Sequence, residues 1–249
     1  MTRAIYRITG ADRVSFLQGL VSNDVNKLKD GLVYAALLTP QGKYLADFFL
    51  VPAGDAILVD IAAEIAPATI QRLSMYKLRA DVEIEETRLY LHRGLGEAPE
   101  DGFSDPRHPA LGWRAYREAA PRKSDEAPDW DAIHVAHVIP ETGEELTPDT
   151  FILEAGFERL HGVDFRKGCY VGQEVTARMK HKAELRKGLG RIRLSAPVTP
   201  GTELTSGGKM AGTVHTVSGD HAIAYLRYDR ASDGLMAGDV VVEWERDVV

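Results

Sequence analysis

Hydrophobic positions near the start of the chain change from a strand pattern to a helical pattern and back. A short strand and a turn at Gly10 come first, and Asp12 then stands at a plausible helix N-cap. Apolar residues after it recur at helical spacing and predict one short amphipathic helix: Val14, Leu17, Leu20 and Val21. Three strand-sized runs follow at residues 32–39, 43–51 and 56–61, separated by the turn signals PQG and PAGD. These runs predict a meander of antiparallel strands.

The next stretch shows both periodicities again before its composition changes. Residues 68–78 have a helical pattern, and residues 81–93 alternate like a strand. Helices interleaved with antiparallel strands predict an α+β layer fold. Residues 97–130 are rich in proline and charge, which predicts mostly a linker that contains one strand at residues 112–118. A short helix is expected after it and stops before Pro140.

From Gly188 onward the apolar runs are short and separated by glycine-rich turns, with no helical pattern. Four strands are predicted, at residues 188–195, 210–218, 221–229 and 238–245. Such a pattern is typical of a small all-β barrel or sandwich. A boundary near Lys187 is therefore expected between an α+β region, residues 1–187, and a C-terminal β-module, residues 188–249.

Composition indicates an ordinary globular protein. The chain has 249 residues, of which 44% are hydrophobic and 27% are charged. Its longest apolar runs are strand-sized, far below the roughly 20 residues of a membrane helix, so no membrane span is expected. The start, MTRAIYRITG, lacks the charged-then-apolar order of a signal peptide, and we therefore expect a cytoplasmic protein. The single cysteine cannot form an internal disulfide or, alone, a structural zinc site.

Positive charge is concentrated in one segment of an otherwise acidic protein. The net charge of −7 argues against a general nucleic-acid binder. Between residues 178 and 193, only Glu184 is acidic, and seven residues are basic: Arg178, Lys180, Lys182, Arg186, Lys187, Arg191 and Arg193. This basic segment indicates a local anionic partner, and the alternative is an ordinary solvated surface.

The only cysteine lies in the sequence RKGCYVGQEV, residues 166–175, which we call the signature loop. Neighbouring cations make a thiol a better nucleophile or ligand, and Arg166 and Lys167 stand just before Gly168 and Cys169. The alternative is a small buried hydrophobe, the usual state of an isolated cysteine. Two glycines together with Lys, Gln and Glu are a mixture that core packing rarely uses, so a site is favoured.

Other candidate chemistry is sparse. His134 and His137 are three apart on the expected helix and could present two imidazoles to a metal, but surface or interface histidines are the better interpretation. No third ligand is near in sequence, and motifs for zinc, phosphate loops and serine hydrolases do not occur, so no metal site built by the protein alone is expected. Asp47 could bind a ring nitrogen or transfer a proton, or could point outward from an alternating strand.

The signature loop and its continuation, FRKGCYVGQEVTARM, resemble the signature of the YgfZ-type folate-binding proteins. This family acts in iron–sulfur cluster assembly and includes a mitochondrial and alpha-proteobacterial branch. The matching residues are Lys167, Gly168, Cys169, Tyr170, Gly172, Gln173, Glu174 and Arg178. Further stretches agree in order along nearly the whole chain: GADRVSFLQGLVSNDV, LLTPQGKYLADFFL and DPRHPALGWRAY. A weaker likeness, in LEAGFERLHGVD, extends to the aminomethyltransferase of the glycine cleavage system.

The resemblance implies a GcvT-like ring of two intertwined α+β subdomains and a small C-terminal β-barrel around a central pocket for tetrahydrofolate. It also implies that Asp47 and Glu154 contact the pterin or its reacting nitrogen. Two features depart from the transferase: its paired acids are replaced by Ala46 and Asp47, and Cys169 is an addition. Both put glycine-cleavage activity in doubt and favour the cluster-assembly branch.

The resemblance therefore favours a tetrahydrofolate-binding accessory factor for assembly or repair of iron–sulfur proteins, in particular those with four-iron clusters. Cys169 would be a transient or shared ligand of iron or a cluster, or a nucleophile toward a folate-borne one-carbon unit, with Lys167 favouring its thiolate form. Gln173 and Glu174 would order the loop by hydrogen bonds. Such clusters are coordinated by about four protein ligands, and this chain has one cysteine. Iron–sulfur carrier or client proteins are therefore expected as partners.

Two alternatives stand beside this hypothesis. A folate-dependent one-carbon transferase, acting on an aminomethyl group or on tRNA, would use Asp47 as acid or base and the basic segment for its anionic partner. A folate-binding module without chemistry is the other. The basic segment could also receive the glutamate tail of a polyglutamylated folate.

Overall fold

The chain folds into two compact units, each built from two separate stretches of sequence. The first contains Met1–Pro128 and Phe157–Val175, and the second contains Asp129–Gly156 and Thr176–Val249. The computed structural model describes residues 2–121, 127–181, 185–231 and 234–248. The predicted boundary near Lys187 coincides with the first barrel strand, whereas the second unit also includes an earlier stretch of the chain.

A five-stranded antiparallel sheet forms the centre of the first unit. Its strands are β1 (Arg3–Thr9), β2 (Val33–Leu38), β3 (Tyr44–Ala53), β4 (Ala56–Ala62) and β5 (Glu83–Glu86). They are arranged in the order β2-β3-β4-β1-β5. The predicted meander is confirmed, because β3 pairs antiparallel with both β2 and β4. All residues of β2 and β4 are buried, which explains their largely apolar sequences; Asp60 of β4 is the charged exception.

Two helices cover one face of this sheet, α1 (Arg13–Gln18) and α2 (Ala66–Lys77), where the sequence predicts them. Leu17 of α1 and Leu73 of α2 join Phe48 of β3 in one buried cluster. Complete burial of such a side chain contributes about 1.5–3 kcal/mol to folding stability. The apolar stripes of the two helices therefore hold them against the sheet.

The turn before α1 packs on the turn after α2. Gly10 has φ +99°, and a Cβ there would lie 2.1 Å from the carbonyl oxygen of Asp81, so only glycine fits. Asp12 occupies the N-cap position of α1, but its side chain makes no cap hydrogen bond. Its carboxylate instead accepts a hydrogen bond from the Asp81 amide at 2.9 Å. The predicted cap residue therefore ties two turns together.

The opposite face of the sheet carries a buried network of charged side chains. Asp60 of β4 accepts hydrogen bonds from Arg3, at 2.6 Å, and from Arg114. Arg114 also donates to Asp105 at 3.2 Å, and Asp105 accepts from Arg107 at 2.9 Å. Burial alone would raise the pKa of Asp60, but the two guanidinium groups hold it far below its usual range.

This network orders much of the segment that composition predicts to be a linker. Three strands, β6 (Tyr90–Gly94), β7 (Phe103–Ser104) and β8 (Trp113–Arg117), form a sheet in the order β6-β8-β7. The strand expected at residues 112–118 is present. The single strand expected at residues 81–93 is instead two strands, β5 and β6, in different sheets. Charge in this segment does not always mean solvent exposure, because Arg107 and Arg114 are buried and pair with Asp105.

The second unit contains a closed six-stranded β-barrel. Its strands are β9 (Lys187–Leu194), β10 (Glu203–Ser206), β11 (Lys209–Ser218), β12 (His221–Arg227), β13 (Leu235–Ala237) and β14 (Val240–Glu245). They close in the order β10-β11-β12-β9-β14-β13. The four predicted strands are present. Strands β10 and β13 were not predicted, because runs of four and three residues carry little periodicity.

Two further helices are α3 (Trp130–His137) and α4 (Gln173–His181). Helix α3 is the one predicted before Pro140, and Asp129 caps it by accepting a hydrogen bond from the Ala132 amide at 2.9 Å. His134 is buried in this helix, so its interpretation as a surface or interface histidine is wrong. No helix of the described chain is long and apolar enough to cross a bilayer.

Candidate functional site

The signature loop leaves its cysteine exposed between two buried residues. Lys167 and Tyr170 are buried, whereas Gly168 and Cys169 are exposed. A Cβ added at Gly168 would meet no atom within 4 Å, and the backbone there is outside the left-handed region. The first unit therefore does not itself require glycine at this position. The open space beside the thiol is accessible to another molecule.

The ammonium group of Lys167 anchors the loop to the end of α1. Its Nζ donates to the carbonyl oxygen of Gln18 at 2.7 Å and to that of Val21. It also lies 4.9 Å from the centroid of the Tyr170 ring. A cation at the C-terminal end of a helix is favourably placed, because the last carbonyl groups are not used by the helix itself. Lys167 thus fixes the segment that precedes the cysteine.

Burial of this lysine changes its protonation. Desolvation lowers the pKa of Lys167 to about 8, although the charges of Asp24 and Asp164 act in the opposite direction. Within the described chain, no hydrogen bond or ion pair joins the ammonium group to Cys169. The expected effect of Lys167 on the thiolate therefore stays a prediction.

Two glycines hold the other end of the loop against the turn between β2 and β3. Gly172 has φ +85°, and a Cβ there would lie 2.6 Å from the carbonyl oxygen of Thr39. Gly42 has φ +74°, and a Cβ there would lie 2.8 Å from the Cβ of Val175. Both positions require glycine for the fold. The stretch LLTPQGK and the signature loop are thus in direct contact.

The loop ends in a hydrogen-bonded start of α4. The Tyr170 amide donates to Oε1 of Gln173 at 3.2 Å, and the Gln173 amide donates to the Tyr170 carbonyl oxygen at 3.2 Å. This reciprocal pair resembles a capping box, in which a glutamine three residues on satisfies a free amide. Glu174 and Arg178 are exposed and make no side-chain hydrogen bond within the described ranges. Gln173 orders the loop, and Glu174 does not share that role.

A second contact joins the signature loop to the stretch GLVSNDV. Asp164, just before the loop, pairs with Lys27 at 2.7 Å and accepts from the Arg166 amide at 2.7 Å. Its own amide donates to the carbonyl oxygen of Ser22 at 3.0 Å. Burial would raise the pKa of Asp164, but the hydrogen bonds from Lys27 and the Arg166 amide hold it below its usual value. The carboxylate therefore stays ionised and holds the base of the loop.

Asp47 is a buried carboxylate held by two tyrosines. It is 4% exposed, which excludes the interpretation as an outward-pointing strand residue. Its Oδ1 accepts from the Tyr44 hydroxyl at 2.6 Å, and its Oδ2 accepts from the Tyr34 hydroxyl at 3.0 Å. The Tyr34 ring stacks on Phe157 with centroids 5.0 Å apart. Burial and the charge of Asp47 raise the pKa of Tyr34 well above its usual value, so this hydroxyl is a neutral donor.

Glu154 occupies a comparable setting in the second unit. It is buried, and its Oε2 accepts from the Tyr225 hydroxyl at 2.6 Å. The Lys187 ammonium lies 3.8 Å from the same oxygen. Burial and the hydrogen bond to Glu154 raise the pKa of Tyr225, which is therefore a neutral donor. Asp47 and Glu154 thus belong to different compact units, and each is held by tyrosine.

Sequence reasoning missed these tyrosines: Tyr34, Tyr44 and Tyr225. The strand register carries the signal for Tyr34, since Ala36 pairs with Asp47 and Tyr34 is two residues from Ala36 on the same face. A predicted meander with a fixed register would have found it. Nothing in the pattern indicates Tyr44 or Tyr225.

The basic segment is partly neutralised. Lys182 and Glu184 lie outside the described residues. Three cations of β9 have a carboxylate within 4.0 Å: Lys187, Arg191 and Arg193. Arg178 and Arg186 are exposed and form no ion pair with any described residue. The segment therefore does not present a uniform row of available cations.

The described ranges contain no cluster of side chains that could hold a metal ion. No three His, Cys, Asp or Glu side chains there are arranged to hold a metal ion. Iron–sulfur clusters take about four protein ligands. A cluster ligated by Cys169 would therefore need ligands from other molecules.

Three proteins to which the chain is similar are named iron–sulfur cluster assembly factors. It is 32% identical to "Iron-sulfur cluster assembly factor IBA57 homolog, mitochondrial" of Mycosarcoma maydis, over 74% of this chain and 54% of that protein. It is 28% identical to the protein named IBA57, mitochondrial, in Mus musculus and in Homo sapiens, over 90% of this chain and 75% of theirs. The chain thus spans about half the length of the fungal relative and three quarters of the mammalian ones.

Two further comparisons concern the fold. Residues 186–247 match the family model "CAF17, C-terminal beta-barrel domain". The chain is similar to the crystal structure of glycine cleavage system aminomethyltransferase T from Bartonella henselae, with a TM-score of 0.77 over 99% of this chain and 84% of that one. Sequence identity is 16%, so this likeness concerns the fold alone. The predicted fold class is confirmed: an aminomethyltransferase-like, mixed α+β fold with a closed C-terminal barrel.

The names of the relatives correct one prediction. All three carry the word mitochondrial, which overturns the expectation of a cytoplasmic protein. That expectation came from the first ten residues, MTRAIYRITG, which test only for a secretory signal peptide.

Proposed function

We propose that this chain, a relative of the IBA57 iron–sulfur cluster assembly factors, is an accessory factor in the assembly or repair of iron–sulfur proteins and binds a reduced folate. The observation that carries the proposal is the exposed thiol of Cys169, presented by a loop that is fixed at both ends. The names of the relatives support the iron–sulfur part. The folate part is supported by the signature resemblance and by the two buried carboxylates.

Cys169 acts in this proposal as one ligand of iron or of a cluster in transit. Thiolate is a soft ligand of the kind that iron–sulfur centres use. Because the chain has a single cysteine, the other ligands come from a carrier or client protein. A fixed, exposed loop suits such sharing, since both proteins can approach the metal. The free space at Gly168 serves the same approach.

The buried carboxylates suit a pterin ring, which presents N–H donors. A carboxylate has about four acceptor positions. Tyrosines fix one position on each oxygen of Asp47. Glu154 accepts from one tyrosine and lies near Lys187, so it retains the capacity to accept from a ligand. Tetrahydrofolate bound by either would supply a reduced pterin and a site for a one-carbon unit.

A folate-dependent one-carbon transferase is the second candidate. One observation favours it: Tyr44 and Tyr34 fix both oxygens of Asp47, as expected for a group that must be aimed at a substrate. The two candidates differ in which side chain they need. The assembly factor depends on Cys169 more than on Asp47, and the transferase depends on Asp47 more than on Cys169.

The test compares Cys169→Ser with Asp47→Asn in cells that lack the endogenous protein, with aconitase-type four-iron enzyme activity as the readout. Cys169→Ser is nearly isosteric at an exposed position, so the fold is kept while the soft ligand is lost. Met210→Ser removes another exposed sulfur, in the barrel, and is the matched control. We expect loss of activity with Cys169→Ser alone. Full activity of that variant would overturn the proposal, and selective loss with Asp47→Asn would favour the transferase.

A further inference from the structure

The end of α2 presents apolar and basic side chains to solvent. We define the α2 patch by its residues: Arg72, Met75, Tyr76, Lys77, Leu78 and Arg79. Met75 is 72% exposed and Leu78 is 89% exposed. Thr69 and Leu73 form the buried side of the helix, and Met75 lies on the other side. The two exposed apolar side chains therefore contribute little to the core.

The three charged side chains of the α2 patch are all cations. The sequence from Ile65 to Ala80 contains no Asp or Glu, although Glu64 and Asp81 flank it, in a protein with a net charge of −7. The side chains of Arg72, Lys77 and Arg79 make no ion pair or hydrogen bond with any described residue. The patch thus combines exposed apolar groups with cations whose charge is not neutralised by neighbours.

The backbone at Leu78 is strained. Its φ and ψ are 46° and −104°, and the Ala80 amide donates to the Lys77 carbonyl oxygen at 2.8 Å. These are features of a type II′ turn with Leu78 at the position that strongly prefers glycine. A leucine there is unfavourable, and the exposed side chain gains too little burial to offset the strain. Glycine would make this turn more stable than leucine does. The leucine side chain therefore indicates a role other than stabilising the fold.

We propose that the α2 patch is a docking surface for a partner protein that presents a segment of apolar side chains flanked by Asp and Glu. Leu78 and Met75 would pack against these apolar side chains, and the three cations would pair with the acidic flanks. Apolar anchors surrounded by complementary charge are the usual anatomy of such interfaces. Met75 suits the role because its flexible thioether adapts to irregular surfaces.

An anionic membrane is the other occupant that cations and apolar groups could attract, and the structure favours a protein. A helix that lies in a membrane uses its whole apolar face. The apolar face of α2, including Leu73, is already buried in the core of the first unit. Only the short exposed patch is left, which is too small to insert but sufficient for a protein contact.

The test is selection of a random peptide library displayed on phage against the full chain, with counter-selection against Leu78→Ser/Met75→Ser. Both substitutions are at exposed positions, so folding should be kept. We expect enriched peptides that combine Leu, Ile or Phe with Asp and Glu. Their affinity, measured by fluorescence anisotropy, should fall at least tenfold with the double variant or with Arg79→Glu, and should weaken as salt rises.

A second variant separates binding from stability. Leu78→Gly should raise the melting temperature by a few degrees, because glycine suits the turn, and should abolish peptide binding. Val241→Ser, at another exposed apolar side chain in the barrel, is the control and should leave binding unchanged. Failure to enrich peptides that depend on the patch would overturn the proposal, as would a lower melting temperature of Leu78→Gly. Binding to phosphatidylglycerol vesicles that the double variant loses would assign the patch to a membrane instead.

Discussion

The Nζ atom of Lys167 lies 2.7 Å from the carbonyl oxygen of Gln18, a residue 149 positions earlier in the chain. This hydrogen bond joins two stretches that each resemble a family motif. Lys167, whose ammonium group is buried by this contact, stands two residues before Cys169, whose thiol is exposed. The lysine of the signature is therefore an anchor for the loop, whatever it contributes to the thiol.

Replacement of this anchor should destabilise the first unit. Lys167→Met keeps the length of the side chain but leaves two partly buried carbonyl groups without their donor. We expect the free energy of unfolding in urea to fall by about 1–3 kcal/mol. Lys29→Met, at an exposed lysine, is the control and should change it by less than about 0.5 kcal/mol. Equal stability of the two variants would show that the Lys167 bonds do not hold the loop.

The same lysine should give a pH-dependent stability. Its pKa is about 8 in the folded protein, against about 10.4 in an unfolded chain. Between these values the unfolded state binds more protons, so the free energy of unfolding rises with pH in this window. The rise is at most about 1.4 kcal/mol per pH unit.

This pH effect is measured as a difference between two variants. Cys169→Ser and Cys169→Ser/Lys167→Met share every other titrating group, and both lack the thiol. Their difference in unfolding free energy should grow in favour of lysine from pH 8 to about 10.4. A difference that stays flat or shrinks across that window would contradict the lowered pKa.

The two glycines beside the signature tyrosine should behave in opposite ways. Gly172→Ala places a Cβ 2.6 Å from a backbone oxygen at φ +85°, so we expect a loss of at least about 2 kcal/mol. Gly168→Ala meets no atom within 4 Å and should stay within about 1 kcal/mol of the parent protein. In the cellular assay, Gly168→Val should nevertheless lower iron–sulfur enzyme activity, because its side chain fills the approach to the thiol. Normal activity of Gly168→Val would mean that no partner comes close at this point.

Loss of the Tyr44 hydroxyl, which binds Asp47, should destabilise the protein more than loss of the hydroxyl of an exposed tyrosine. A hydrogen bond to a charged group contributes about 1.5–3 kcal/mol, and Tyr44→Phe removes one of 2.6 Å. We expect Tyr44→Phe to lower the unfolding free energy by that order and to weaken tetrahydrofolate binding in calorimetry. Tyr90→Phe, at an exposed ring, is the control. Unchanged folate affinity of both Tyr44→Phe and Asp47→Asn would show that the pterin does not contact this carboxylate.

Much of the fold could be predicted because its core follows simple periodicity. The meander of β2, β3 and β4 is visible as three apolar runs between turn signals, and the barrel as short runs between glycines. Composition predicts the structure of residues 97–130 less well. Asp105, Arg107 and Arg114 are charged in sequence yet buried in structure, because they neutralise one another and Asp60. Composition cannot show which charges will pair.

The candidate site was predictable in its residues and only partly in its geometry. Tyr44 and Asp47 are three apart, which puts them on opposite faces of a regular strand. The register shifts between Leu37 and Leu38, and Tyr44 there pairs with Leu38, on the face of Asp47. Such an irregularity re-aims one side chain and leaves no periodic signal in the sequence. The contact between Gly42 and Gly172 also depends on the tertiary fold, and no local pattern contains it.

The basic segment should determine how the protein responds to the length of a folate tail. Lys187, Arg191 and Arg193 already have carboxylate partners, so the exposed Arg178 and Arg186 are the better candidates for tail carboxylates. Each exposed contact should contribute about 0.2–1 kcal/mol. We therefore expect tighter binding with each added glutamate, an effect that weakens as salt rises.

Removal of the two available charges provides the measurement. Arg178→Gln/Arg186→Gln should abolish the preference for long tails in calorimetry and leave the affinity for the monoglutamate unchanged, because the pterin contacts are not altered. Arg193→Gln removes a cation that is already near Asp220, at 3.5 Å, and is the matched control with little expected effect. If monoglutamate and long-tailed folates bind equally at low salt, the tail does not use this segment. The exposed arginines would then be better explained by docking of an acidic partner protein, which the same double variant would weaken.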